Sequence, residues 1–224
     1  VMTESAWLKT PLFAGLTEAD ADKLLQCLQG ERRSFRKGQA IYRMGDTAQT
    51  LGLVLSGSAH IESCDAWGKR SLLGVVQAGQ IFAEVYACVP EEPMQVSVIA
   101  AEPTEALFLR TDRMLGTCST TCPFHAQLLR NLLMVMARKN LQLSQRMRCT
   151  APRTIRERLT VYLSDQAMRQ GSNTFVIPFN RQELADYLEV DRSALSNELS
   201  KMRREGLLEV ERKAFTLSAE TGME

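Results

Sequence analysis

Four side chains that form directional hydrogen bonds lie close together near the carboxyl end of the chain: Arg192, Ser193, Ser196 and Asn197. Arginine can donate two hydrogen bonds to guanine, asparagine can pair in the same way with adenine, and serine can bond a base or a phosphate. Other polar side chains could contact DNA, the basic ones at its phosphates. They are Arg181, Gln182, Lys201, Arg203 and Arg204. These residue types predict contacts with duplex DNA.

Two short helices must position these side chains, one over residues 182–188 and one over residues 191–205, with Asp191 as a helix cap. Leucines and one valine can bury the crossing between the helices: Leu184, Leu188, Val190, Leu195 and Leu199. Ala185 stands where crossing helices need a small side chain, whereas Glu189 stands in the turn where glycine is usual. The pattern predicts a helix-turn-helix whose second helix enters the major groove.

A helical hairpin with solvated charges is the plainer interpretation of the same stretch. The neighbouring elements favour DNA binding, because an amphipathic helix ending at Gly171 and a strand over residues 173–179 precede it. Two short apolar runs around a charged turn follow Gly206 and predict a hairpin that would form a wing.

Residues 124–148 contain no glycine or proline and predict one long helix, which ends before Pro152. Its apolar seam has spacings of 4, 3, 4, 3 and 4 and consists of Leu129, Leu133, Met136, Asn140, Leu143 and Met147. This seam favours a parallel dimeric coiled coil in which Asn140 sets the register. The alternative is a core helix lying on the amino-terminal domain.

The amino-terminal half predicts a β-rich domain. Residues 17–29 form an amphipathic helix capped by Thr17, and residues 34–110 contain brief apolar runs separated by glycines. Short strands at this spacing predict a compact antiparallel barrel or sandwich.

Composition limits the class of protein. The 224 residues carry a net charge of only +1, so a DNA-binding surface must concentrate its positive charge locally. No apolar run approaches the roughly 18 residues of a membrane span, and the six scattered cysteines fit reduced thiols. We therefore expect a cytoplasmic protein with no membrane partner.

Several stretches between residues 13 and 218 carry a resemblance to a known family: FRKGQAIYRMGD, LGLVLSGSAHI, AGQIFAE, MARKNLQ, TIRERLTVYL and FNRQELADYLEVDRSALSNEL. The chain resembles the Crp/Fnr family of bacterial transcription regulators. The resemblance implies an α+β protein with a jelly-roll (double-stranded β-helix) sensor domain over residues 10–122 and a dimerisation helix over 123–150. A winged helix-turn-helix domain over residues 151–219 would complete it.

The resemblance also implies a sequence-specific, homodimeric regulator that binds an inverted-repeat DNA site and acts with RNA polymerase. The family's base-reading residues fall on Arg192, Ser193, Ser196 and Asn197. Many members carry Glu and Arg where this chain has Ser193 and Asn197, so their operator sequence does not carry over.

The sensor region departs from the members that bind cyclic nucleotides. Those members use a Gly-Glu-Leu turn and an Arg-Ser pair, whereas this chain has Ala83, Glu84 and Val85 and lacks the arginine near Gln95. Without that guanidinium a buried phosphate would lack its compensating charge, so we reject cyclic AMP and expect no cofactor. A pocket for another small effector would draw on Ala83, Glu84, Gln95, Val96, Asn140, Leu143 and Ser144.

The sequence gives weaker support to metal binding, iron-sulfur sensing and catalysis. Cys118, Cys122 and His125 have the spacing C-x3-C-x2-H, but zinc sites usually show two paired ligand motifs, so we predict packing and no metal. Only Cys27 precedes Phe35, which disfavours an iron-sulfur sensor. The chain has two histidines and no phosphate-cradling glycine motif, so we predict that it is not an enzyme. An effector-independent regulator, or one that responds to redox through a thiol or metal, is the alternative function.

Overall fold

The structure is a computed structural model that describes residues 6–116 and 123–218. By its contacts the chain divides into two compact units, Val1–Met136 and Ala137–Glu224. The boundary falls inside the longest helix, and the two units are described in turn.

The first unit contains eight described strands in two antiparallel sheets. The strands are β1 (Glu31–Phe35), β2 (Ala40–Tyr42), β3 (Thr50–Ser56), β4 (Ser58–Cys64), β5 (Arg70–Gln77), β6 (Ile81–Phe82), β7 (Ser97–Ala100) and β8 (Thr104–Arg110). One sheet has the order β1-β8-β3-β6 and the other has the order β2-β7-β4-β5. Consecutive strands thus alternate repeatedly between the sheets, as the predicted jelly roll requires.

Side chains from both sheets fill one core, and the neighbouring strands β3 and β8 each bury five of their seven residues in it. Gly52 in β3 lies against the ring of Phe82, where an added Cβ would come within 2.0 Å of the ring. The strand therefore needs glycine at this position. Phe82 packs edge-to-face with Phe108 and Tyr42, at centroid distances of 5.9 and 6.4 Å.

Helices complete the first unit. They are α1 (Glu18–Cys27), α2 (Glu84–Cys88), α3 (Thr111–Leu115) and the first half of α4 (Pro123–Thr150), and two short 3-10 turns, Ala6–Lys9 and Pro11–Phe13, precede them. Thr17 caps α1 with a reciprocal hydrogen bond to Asp20, which confirms the predicted helix start. Asn131 of α4 is buried and donates hydrogen bonds to the carbonyl oxygens of Leu12 and Ala14 at 2.9 and 2.8 Å.

The predicted seam of α4 has two kinds of surroundings. Leu129 and Met136 pack partly buried against the first core, as the core-helix alternative expects. Leu133, Leu143 and Met147 are 69%, 60% and 62% exposed. Much of the seam is therefore an apolar stripe that the single chain does not cover.

The second unit holds the predicted helix-turn-helix and hairpin. Its elements after α4 are α5 (Ile155–Gln170), β9 (Thr174–Val176), α6 (Arg181–Leu188), α7 (Arg192–Arg204), β10 (Leu208–Glu211) and β11 (Ala214–Leu217). The strands form a sheet of order β10-β11-β9. Leu184, Ala185, Leu188, Leu195 and Leu199 are buried in its core, as their spacing predicted, and Val190 packs against it partly buried. No helix in the described residues is long and apolar enough to cross a membrane.

Candidate nucleic-acid interface

The turn between α6 and α7 accommodates glutamate where glycine is usual. Glu189 has φ 55° and ψ 50°, the left-handed conformation in which side chains are disfavoured. Arg158 of α5 donates hydrogen bonds to the carbonyl oxygens of Leu188 and Glu189 at 2.8 and 3.1 Å. Arg146 of α4 forms an ion pair with the Glu189 carboxylate at 3.2 Å. Contacts from two other helices therefore hold this turn.

Asp191 caps the recognition helix α7, as predicted. Its carboxylate accepts hydrogen bonds from the backbone N–H groups of Ser193 and Ala194, both at 2.9 Å, and from the Ser193 hydroxyl. The Ser193 hydroxyl and the backbone N–H groups hold the pKa of the Asp191 carboxyl below its usual range. Ser193 is thus exposed, but its hydroxyl already donates its hydrogen to Asp191. To contact DNA the hydroxyl must either break that hydrogen bond or accept one from DNA through its oxygen.

The other predicted base readers lie on the accessible part of α7. Arg192 and Asn197 are exposed, and Ser196 is half-buried. The Ser196 hydroxyl donates to the Arg192 carbonyl oxygen at 2.9 Å. Arg192 and Asn197 are therefore the predicted readers whose side chains extend freely enough to reach base edges.

The other predicted DNA contacts have different surroundings. Arg181 is half-buried with its guanidinium carbon 5.3 Å from the centroid of the Phe215 ring, and burial lowers its pKa. Gln182 is exposed and donates to the Asp186 carboxylate at 2.8 Å. Lys201 is exposed, and its Nζ lies 3.7 Å from a carboxylate oxygen of Glu198. Lys201 and Gln182 are the more accessible, whereas Arg181 also packs against the sheet.

Two exposed residues of this surface were missed in the sequence. Ser200 lies three residues after Asn197, so helical spacing could have placed it on the same face of α7. Arg212 lies at the tip of the hairpin with φ 53°, and its place in the turn was the available signal. Both extend the polar surface formed by α7 and the wing.

One arginine of α5 holds the middle of α7 and the residue that caps its carboxyl end. The Arg156 guanidinium bonds Glu198 at 2.6 Å and forms a bidentate pair with Glu205 at 2.7 and 2.9 Å. These hydrogen bonds raise the pKa of Arg156, and the hydrogen bonds from Arg156 lower the pKa of Glu205. The recognition helix is thus braced from behind by residues that do not face DNA.

The predicted effector-pocket residues fall in both units. In the first unit, Ala83 has a left-handed φ of 58°, and Glu84 begins α2 only 5% exposed. The backbone N–H of Gln95 donates to the Tyr86 hydroxyl at 3.4 Å, and Val96 is partly buried. The remaining predicted residues, Asn140, Leu143 and Ser144, are exposed on α4 in the second unit.

Two of the three candidate metal ligands named above, Cys118 and Cys122, lie outside the described residues. His125 is buried, and its Nε2 lies 3.9 Å from the Sγ of Cys27. Among residues 6–116 and 123–218, no three His, Cys, Asp or Glu side chains are grouped to hold a metal.

Two family models match the chain. Residues 32–121 match the cyclic nucleotide-binding domain, and residues 157–224 match the Crp-like helix-turn-helix domain. These ranges correspond to the strand-rich part and to the winged helix described above.

Named relatives agree with these matches. The chain is 27% identical over 199 residues to the cyclic AMP receptor protein of Thermus thermophilus, covering 89% of this chain and 88% of the relative. It is 25% identical over 218 residues to the transcriptional activator protein FnrA of Stutzerimonas stutzeri, covering 95% and 86%. The c-di-GMP responsive global regulator CLP of Xanthomonas campestris shares the fold, with a TM-score of 0.54, 20% identity and coverage of 91% and 100%.

The cyclic nucleotide-binding match precedes the helix-turn-helix match along this chain, and the homologues are transcription regulators, a non-enzymatic family. The chain therefore belongs to the Crp/Fnr family of DNA-binding transcription regulators.

Proposed function

We propose that this regulator acts as a cytoplasmic homodimer whose two recognition helices read an inverted-repeat DNA site. The observation that carries this proposal is the surface of α7, where Arg192 and Asn197 are exposed while Arg156 braces the helix from behind. The exposed apolar stripe of α4 supports pairing of two copies. Two half-sites would then lie about 34 Å apart, one turn of DNA.

We propose the division of labour that the family resemblance implies. Residues 10–122 would sense an effector, residues 123–150 would pair the subunits, and residues 151–219 would bind DNA. Ala83, Glu84, Gln95 and Val96, with Asn140, Leu143 and Ser144 of α4, are the proposed effector contacts. RNA polymerase is the proposed partner at the promoter.

The proposed effector is a small molecule other than cyclic AMP. The Thermus relative is named for cyclic AMP, but near the place where nucleotide-binding members carry the Arg-Ser pair this chain reads Met94, Gln95, Val96 and Ser97 and has no arginine. A cyclic phosphate bound here would lack its main compensating charge. Thermal-shift screening against metabolites tests this, because a ligand of the folded state raises the melting temperature. A saturable shift with cyclic AMP would contradict the proposal.

A second candidate is regulation through a thiol. Cys64 is exposed, Cys27 and Cys88 are half-buried, and Cys149 is fully buried. Burial raises the pKa of Cys88 and of Cys149, which disfavours their reactive thiolates. Comparing DNA affinity of reduced, peroxide-treated and re-reduced protein separates this candidate from ligand gating.

Selection of bound sequences from a random DNA pool, with and without cell extract, tests the main proposal. An inverted repeat would support the dimer, and dependence on extract would reveal an effector. Arg192→Ala should then cost about 1–3 kcal/mol on the selected site and relax base preference, whereas Lys201→Ala should weaken all sequences alike and reduce the salt dependence. Equal losses on selected and random DNA for Arg192→Ala would contradict its base-reading role.

A further inference from the structure

The second unit contains a cavity that the proposed DNA contacts do not use. Its volume is about 590 Å³, within the range of roughly 300–1,000 Å³ that small-molecule sites occupy. The walls come from α4, α5, α6 and the segment before α6. The residues on which the argument rests are Lys139, Arg146, Tyr162, Arg169, Phe179 and Tyr187.

The charged lining of this cavity is entirely positive. Lys139, Arg146 and Arg169 contribute to its wall, and none of its lining residues, all of them described, is a carboxylate. Arg169 pairs with Asp165 at 2.9 Å and Arg146 pairs with Glu189, but both carboxylates lie outside the lining. A guanidinium has five N–H donors, so one ion pair leaves donors for a second anion.

Aromatic rings form the apolar part of the cavity. The rings of Tyr162, Phe179 and Tyr187 form a mutually contacting cluster. The centroid distances are 6.2 Å for Tyr162–Phe179, which are stacked, 5.0 Å for Phe179–Tyr187 and 5.4 Å for Tyr162–Tyr187. Flat aromatic faces favour a planar apolar group that can stack on them. The cavity therefore offers an apolar surface beside its cationic wall.

Two polar atoms at this cavity are buried without a hydrogen-bond partner, the Tyr162 hydroxyl and the Arg146 Nε. Burial strongly raises the pKa of Tyr162, so its hydroxyl stays protonated and able to donate. A buried donor without an acceptor is unfavourable, and native proteins usually satisfy such groups. An acceptor supplied by a ligand would satisfy both.

We propose that this cavity binds a small organic oxyanion carrying a planar apolar ring. The carboxylate or phosphate lies against the guanidinium groups of Arg146 and Arg169 and accepts from the Tyr162 hydroxyl. The ring packs on Phe179 and Tyr187. This site lies outside the predicted effector pocket except for Leu143, which also lines it. Ligand binding here stands independently of the proposed DNA recognition.

Calorimetric titration of the full chain without DNA tests the site, so a failure of the proposed DNA function cannot affect the result. The probes are phenyl phosphate and benzoate, with inorganic phosphate and benzyl alcohol as controls for the anion and the ring alone. We expect saturable binding of at least one ring oxyanion, at least tenfold tighter than either control. The two probes also distinguish a phosphate ligand from a carboxylate ligand.

Variants locate the binding. Arg146→Gln and Arg169→Gln should each weaken the bound probe at least tenfold, whereas Arg138→Gln, at an exposed position of α4 outside the cavity, should leave it unchanged. Tyr162→Phe should weaken binding without lowering the melting temperature of the free protein, because it removes an unsatisfied hydroxyl. The proposal is overturned if neither ring oxyanion binds at 5 mM (on the order of a weak-ligand limit), if a control binds as tightly, or if Arg138→Gln causes the same loss.

Discussion

Replacing Arg158 by methionine removes two hydrogen bonds that hold the turn of the helix-turn-helix and one to the segment before α5. The guanidinium donates to the carbonyl oxygens of Pro152, Leu188 and Glu189 at 2.8, 2.8 and 3.1 Å. Two of these oxygens end α6, where the last carbonyls have no partner within the helix and carry partial negative charge. Methionine keeps most of the apolar stem, so the change isolates the polar contacts.

The expected loss follows from the two contacts to the turn, because the Pro152 contact joins α5 to the segment before it and persists when α6 and α7 open. A hydrogen bond from a charged donor contributes roughly 1.5 kcal/mol at the lower end of its range, and this value applies to the buried Leu188. Glu189 is exposed, so water replaces Arg158 there and the contribution falls to roughly 0.5 kcal/mol. We expect the free energy of opening of the α6–α7 segment to fall by about 2 kcal/mol.

Hydrogen exchange measured by mass spectrometry reads this opening directly in the full chain. A loss of about 2 kcal/mol corresponds to exchange on the order of 30-fold faster in peptides from residues 181–204, provided that opening is at equilibrium. Peptides from the strands of the first unit serve as the internal control and should be unchanged. This comparison avoids assigning one unfolding free energy to a chain of two units.

Arg158→Lys is the matched variant. Lysine keeps the charge but cannot present the planar fork that reaches three oxygens, so its exchange rates should fall between those of the parent and of the methionine variant. Less than threefold acceleration (roughly 0.6 kcal/mol) in the methionine variant would refute the reasoning. Equal acceleration in both units would show that the change acts globally and not through the turn.

Three further outcomes are expected. Ala83→Gly should raise the free energy of unfolding of the first unit in urea by about 1 kcal/mol, because an L side chain is disfavoured at φ 58° by more than the added freedom of unfolded glycine; a loss would contradict this. Leu133→Glu with Leu143→Glu should give monomers in sedimentation equilibrium, whereas Val176→Glu, 59% exposed on a strand, should not. The lowered pKa of Asp191 means that its cap stabilises α7 above the ordinary carboxyl pKa and weakens below about pH 4. Asp191→Asn should flatten that loss of helicity in circular dichroism, and parallel curves would argue against the cap.

Local signals made much of the fold predictable. Thr17 and Asp191 cap helices through hydrogen bonds to residues two or three positions away, so the sequence spacing itself contains the interaction. The buried leucines of α6 and α7 follow helical periodicity for the same reason. The order of strands, long helix and winged helix was recognisable because each part has its own period.

The hydrogen bonds and packing of side chains on the recognition surface were less predictable. The sequence predicted Ser193 as a base reader and Arg181 as a phosphate contact. In the structure the Ser193 hydroxyl donates to the capping carboxylate of Asp191, and the Arg181 guanidinium packs over the Phe215 ring. Residue type says what a side chain can donate. It does not say which acceptor lies nearest once the chain has folded.

The sequence by itself determined the elements, their order and the polar residues available on α7, because these depend on interactions within a few residues. Only the tertiary structure decided how Glu189 is tolerated in its turn, since Arg146 and Arg158 reach it from positions 43 and 31 residues away. It also decided that three cations and three aromatic rings from separate segments line one cavity. Such contacts depend on packing between distant parts of the chain, which no local periodicity records.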